Sequence, residues 1–193
     1  MTEKDPFEER RKAFEEEYFK KKDAQLVDKL KAVFHRKLDR ESIKKMTGIT
    51  SDRVLDNLVQ LSLSGEGMAA FNLYPLLEVA WADNVVSEPE IRAVLDAAHD
   101  HGIPRGSVAH KLLDDGLQNR PNEDSRKAWY MYAEELRKTL SPQELATFRQ
   151  DLLDYARRVA TASGGIFNMV FQVSHNEHQV LKAIEKALTS DAT

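Results

Sequence analysis

Apolar residues recur at helical spacing along almost the whole chain. Phe7, Phe14, Tyr18, Leu26, Leu30 and Phe34 fall at multiples of roughly 3.6 residues. They predict a long amphipathic helix near the N-terminus. Asp5 can cap it, Pro6 suits its first position, and Glu8 completes a capping box. A short helix then ends at Gly48, and a second begins after Thr50 or Ser51. Together these read as a small helical hairpin with Gly in its turn. Ser64-Gly-Glu-Gly67 breaks the pattern and suits a linker. The expected organisation is an arm and hairpin over 1–63, followed by a helical domain over 64–193.

Within that domain the segment 68–82 is apolar on nearly all sides, which predicts a helix central in the core. Ser87 opens the next helix, and Gly102-Ile-Pro104 stops it after about His101. A shorter helix spans about 106–115 and ends at Gly116. Others cover about 124–139 and, from the capping box Ser141-Pro-Gln-Glu144, about 142–162. Ser174-His-Asn-Glu177 is a further capping box, opening a last helix to about Leu188. The apolar run Val170–Val173 is too short to support a sheet. The fold class is therefore all-α, a compact multi-helix bundle.

Two stretches follow one plan. Ala80-Trp-Ala-Asp-Asn-Val-Val-Ser87-Glu-Pro-Glu90 passes from a helix end through a polar turn to a capped helix. Ala160-Thr-Ala-Ser-Gly-Gly165, resumed at Val173-Ser174-His-Asn-Glu177, does the same with extra residues in the turn. The pattern suggests two pseudo-repeated helix-turn-helix units. Only the first keeps an acidic residue, Asp83, in its turn.

Composition narrows the function classes. The chain has no cysteine, which excludes disulfides, thiolate metal sites and thiol catalysis. No apolar run is long enough to span a membrane, and the first residues do not form a secretory signal. A cytoplasmic location is the expectation. The net charge of −4 is uneven: residues 1–46 carry 14 Lys and Arg against 11 Asp and Glu, and the remainder carries 14 against 21. An acidic body is a poor phosphate binder, so no nucleic-acid partner is expected. The hairpin helix after Ser51 offers Asp52 and Asp56 with a single cation, Arg53, which is unlike a recognition helix.

Candidate chemistry concentrates at Asp83 and Glu90, which bracket a turn leading into a helix N-terminus. Hard cations such as calcium or magnesium take oxygen ligands from carboxylates, carbonyls and water. Asp83, Asn84, a nearby carbonyl and Glu90 could supply part of such a shell, with Glu78 or Glu88 adding to it. Capping competes, because Ser87 with Glu90 already forms a capping box. The histidines have plainer roles. His99 and His101 close a helix, where positive charge is favourable, and His175 and His178 lack the spacing of a zinc motif. Trp81 and Trp129 read as core packing.

The run Pro75-Leu-Leu-Glu-Val-Ala-Trp-Ala82-Asp83-Asn84-Val-Val-Ser-Glu-Pro-Glu90-Ile-Arg-Ala-Val-Leu95, followed by Gly102-Ile103, resembles the tellurite-resistance TerB family and wider TerB-like domains. The resemblance covers about 68–188. It implies an all-helical, non-enzymatic domain, cytoplasmic or peripheral to a membrane, linked to stress response. Such a domain would bind a divalent cation through Asp83 and Glu90. This sequence departs from the family in carrying Asn84 where Gly is usual and Ser163 where the second turn would have Asp. The leading expectation is a scaffold or interaction protein whose N-terminal helix docks on a protein partner or on a second copy. The alternatives are a helical nucleic-acid adaptor and an enzyme with a carboxylate-only metal site.

Overall fold

The computed structural model describes residues 6–162 and 173–189. Among them there are helices, turns and no strand. The chain divides into two units, residues 1–39 and 40–193. Both contain part of the first helix, α1 (Pro6–Thr47). The expected long and short N-terminal helices are thus one element. No Gly or Pro lies between Phe7 and Thr47 to interrupt it. It stops at Gly48, whose φ of 71° suits a residue without a side chain. Asp5, the expected cap, lies outside the described residues. In the first unit Leu26, Val27, Val33 and Leu38 are all exposed.

Among the described residues, the second unit is built from the last turns of α1 and eight further helices. α2 (Asp52–Gln60) buries Val54, Leu55 and Leu58 and follows Ser51 as N-cap. Its acidic positions meet one cation: Arg40 pairs with Asp52 and, at 3.2 Å, with Asp56. Residues 40–63, grouped with the arm on the sequence, contribute Ile43, Ile49, Leu55, Leu58 and Leu63 to the core of this unit. The turn at 64–67 is closely packed. A Cβ on Gly65 would collide with the Ser42 hydroxyl and press on the Met46 sulfur, so any larger residue there would force both side chains to move.

The apolar run 68–82 is two helices, α3 (Met68–Asn72) and α4 (Tyr74–Ala80). Pro75 accounts for the break. It has no N–H to donate back along the helix, and its ring crowds the preceding turn. The chain tightens there instead, with Leu73 N–H on Ala70 O and Leu76 N–H on Leu73 O. α5 (Glu88–Asp100) and α6 (Val108–Gln118) follow. α7 (Glu123–Thr139), α8 (Pro142–Ala162) and α9 (His175–Ala187) complete the order. α4 is the hub and packs on α5, α6, α8 and α9, while α5 and α8 make the most extensive pairing. Trp129 is fully buried, as expected of a core residue. The expected turn at Ser163-Gly-Gly165 and the run to Gln172 lie outside the described residues. No helix among the described residues is long and apolar enough to cross a membrane.

α6 does not stop at Gly116 but passes through it. The reason is contact rather than backbone freedom. A Cβ there would lie 2.5 Å from Cδ1 of buried Leu77, and the Gly116 carbonyl accepts a 2.9 Å hydrogen bond from the Trp81 indole. The glycine lets α6 approach α4. Gly→Ala in a helix ordinarily gains up to about 1 kcal/mol. Here overpacking against Leu77 costs about 1–3 kcal/mol and outweighs it. Gly116→Ala should therefore lower the urea midpoint; a raised midpoint would mean Leu77 can turn away freely.

Candidate functional site

The turn that carries Asp83 is held by local bonds. Asp83 is exposed, and its Oδ1 accepts from the Val85 N–H at 3.3 Å. This is an Asx turn, a common reason for Asp at such a position. Asn84 has φ of 71°, a conformation Asn tolerates better than most residues. Its side-chain oxygen accepts from Arg120, just past the C-terminal end of α6. Val85 is exposed, and Ser87 starts α5.

Glu90 faces inward. It is 2% exposed and accepts at Oε2 from both the N–H and the hydroxyl of Ser87, at 2.7 and 2.6 Å. Burial raises its pKa, the Ser87 bonds oppose that shift, and the negative charges of Asp83 and Glu177 add to it. Glu177 closes the matching box on α9: its Oε2 accepts from Ser174 N–H at 2.6 Å, and its own N–H reaches the Ser174 hydroxyl at 3.2 Å. Glu90 and Glu177 are the two buried charged residues of the described chain, and they are close enough to interact. The third box, Ser141 with Glu144, is exposed. Each expected ligand thus has a structural partner. Asp83 and Glu90 feel one another's charge, but among the described residues no group of three or more His, Asp or Glu side chains is arranged to hold a metal ion.

Beside this turn lies a cleft of about 450 Å³ between α4, α9 and the loop leading into α7. Its floor is Glu78, one of the residues the sequence offered only as an accessory ligand. The Glu78 side chain is 9% exposed. Arg126 of α7, 49% exposed, places Nε 3.2 Å from Oε1. The Tyr130 hydroxyl donates to Oε2 at 3.3 Å. Oε1 is sealed from solvent and has the ion pair but no aligned hydrogen bond. Burial raises the Glu78 pKa, against the opposing pull of Arg126 and of hydrogen bonds from Tyr130 and Tyr74. Burial and the Glu78 charge push Tyr130 up to about 12. Burial, then Glu78, also raises Tyr74. The guanidinium responds in the opposite sense, its proton held more tightly by Glu78.

The remaining walls mix chemistry. Trp81, expected to pack in the core, is only half-buried and contributes to the cleft with Val180 and Ala183, while Arg120 and Glu123 stand at the rim. A sequence signal for Glu78 exists. It is the one charged residue between Met68 and Trp81, and a lone charge in an otherwise buried helix requires a partner. Which cation answers it is set by the packing of α7 and is not written locally.

Comparison with known protein families, with curated proteins and with solved structures finds no match to this chain.

A buried acid with a raised pKa binds its proton better when folded than when unfolded. Its stabilising contribution is full at low pH and is lost as pH rises from the ordinary value of 4.5 through the raised one. Urea denaturation at pH 5 and 7 should show Glu78→Gln losing less stability across this interval than the wild type; an equal loss would place the Glu78 charge in water. At the turn, Asn84→Ala should cost about 1–2 kcal/mol because its φ is positive, whereas Asn84→Gly should cost less. Equal costs would show that the Arg120 bond, and not the backbone, decides this position.

Proposed function

We propose that the protein is a non-enzymatic interaction module. The observation that carries this reading is the lining of the cleft. Arg126 is paired with Glu78, and its half-exposed side chain lines the cleft. No Ser, Thr, Cys, Lys, His or Asp is among the described residues that line it. Nucleophilic catalysis needs a nucleophile beside a base; of the lining groups that could serve, Tyr74 is buried and its pKa raised, Oε1 of Glu78 is closed to solvent, and Glu123 stands exposed. A positioned cation among groups held in this way suits recognition. The reading agrees with the kind of domain that the sequence pattern Pro75–Leu95, followed by Gly102-Ile103, resembles, the TerB-like domains. Cation binding by Asp83 and Glu90 forms no part of it.

The N-terminal helix is assigned to self-association. Leu26 and Val33, one heptad apart, are 56% and 64% exposed, and Val27 and Leu38 are also open to water. Residues 8–17 carry five acidic and three basic side chains, whereas residues 29–37 carry four basic and none acidic. An antiparallel pair of α1 helices sets the acidic stretch of each against the basic stretch of the other. The occupant of this face is therefore a second copy of the chain.

Light scattering on the full chain tests the assignment. The expected mass is twice the 22.0 kDa of one chain. Burying each Leu or Val contributes about 1.5–3 kcal/mol, so Leu26→Asp with Val33→Asp should give a monomer of unchanged helix content by circular dichroism. A wild-type monomer, or a dimer indifferent to both substitutions, contradicts the arm's role.

A further inference from the structure

The ligand chemistry of the cleft is legible in its charges, and this step rests on the reading of the cleft as a recognition surface. Four charged side chains line it: Glu78, Arg126, Arg120 and Glu123. Glu78 is spent internally. Its side chain is 9% exposed, paired with Arg126 and bonded by Tyr130. What a ligand meets is the half-exposed guanidinium of Arg126, the exposed Arg120 and the exposed Glu123. Both arginines are oriented before any ligand arrives, Arg126 by Glu78 and Arg120 by the Asn84 oxygen. Preorganised guanidinium groups favour a planar oxyanion and lose less entropy on binding it. Glu123 opposes a multiply charged phosphate, which leaves a single carboxylate as the better match. Behind the cations, Trp81, Val180 and Ala183 form an apolar wall, and Asn176 and Gln179 offer amide groups. A volume of about 450 Å³ lies within the range of small-ligand sites.

We propose that this cleft receives a carboxylate on an apolar stem, with Arg126 as its principal anchor and Arg120 as a second cation at the rim. The carboxylate belongs either to a small organic acid or to the C-terminus of a peptide, and the two share the chemistry that the cleft reads.

The test uses the full chain, isotope-labelled for NMR. It is titrated with N-acetylleucine and with N-acetylleucinamide, which lacks the carboxylate. The chain has two tryptophans, so the indole signal of Trp81 is assigned with Trp81→Phe and reports on the cleft wall. N-acetylleucine should shift that signal saturably, and the amide should bind about tenfold more weakly or less. Arg126→Gln should weaken N-acetylleucine about tenfold, and Arg120→Gln about threefold. Arg120 is exposed, so its variant keeps the test decisive should Arg126→Gln fail to fold. If both probes bind equally, or neither arginine variant weakens binding, the carboxylate assignment falls and the cleft remains a binding surface. If neither probe shifts Trp81 saturably, both readings fall. A tetrapeptide ending in leucine that binds more tightly with a free than with an amidated C-terminus, and more tightly than N-acetylleucine, identifies a chain end as the ligand. Tighter binding of N-acetylleucine than of the peptide identifies a small acid.

Discussion

One charged side chain, Glu78, almost enclosed at the hub of the bundle, constrains much of what surrounds it. α4 is enclosed by α5, α6, α8 and α9, and every residue of α4 but Glu78 is buried. A carboxylate in that setting must be paired and hydrogen-bonded or give up its charge. Arg126 and Tyr130 from α7 meet it from one side. Removing either partner exposes the cost of burying Glu78, so the packing of α7 and the electrostatics of α4 are one problem. The solution leaves a guanidinium standing at the surface with a fixed orientation. The proposed binding surface is in this sense a by-product of stabilising the core.

The turn after α4 is tied to the same region. Trp81 bonds to the carbonyl of Gly116, and Arg120 bonds to Asn84. These two links run between the end of α4 and the end of α6. They position Trp81 and Arg120, two of the residues that line the cleft. Close contact at Gly116 makes the first link possible, because a side chain there would collide with Leu77. Glu90 and Glu177 then lock the starts of α5 and α9. Their mutual repulsion is tolerated because each carboxylate accepts hydrogen bonds at a helix N-terminus, where negative charge is favoured.

How much of this is readable from the chain differs with the range of the interaction. Caps are local, and Ser87, Ser141 and Ser174 mark their helices to the residue. Breaks caused by tertiary fit are not. Pro75 sits in so apolar a run that the periodicity hides the change from α3 to α4. Gly116 carries the signature of a helix stop, yet its role is to admit Leu77 from another helix. At the turn, the spacing of Asp83 and Glu90 suits a cation loop and equally suits an Asx turn beside a capping box; only the side-chain directions separate them. The cleft itself joins α4, α7 and α9, and no short window of sequence contains it. The lone charge of Glu78 in an apolar helix is the one mark it leaves.

Whether Arg126 is held in place depends on the state of the Glu78 carboxylate. A carbon-detected NMR titration of the Glu78 side chain, in the wild type and in Arg126→Gln, measures it directly. The wild-type group should titrate above the ordinary carboxylate value of 4.5 because burial outweighs its partners. Loss of Arg126 should raise it further, since the guanidinium favours the charged form. Titration at the ordinary value in both proteins, with no response to the loss of Arg126, would mean that Glu78 is solvated and does not hold the arginine in place.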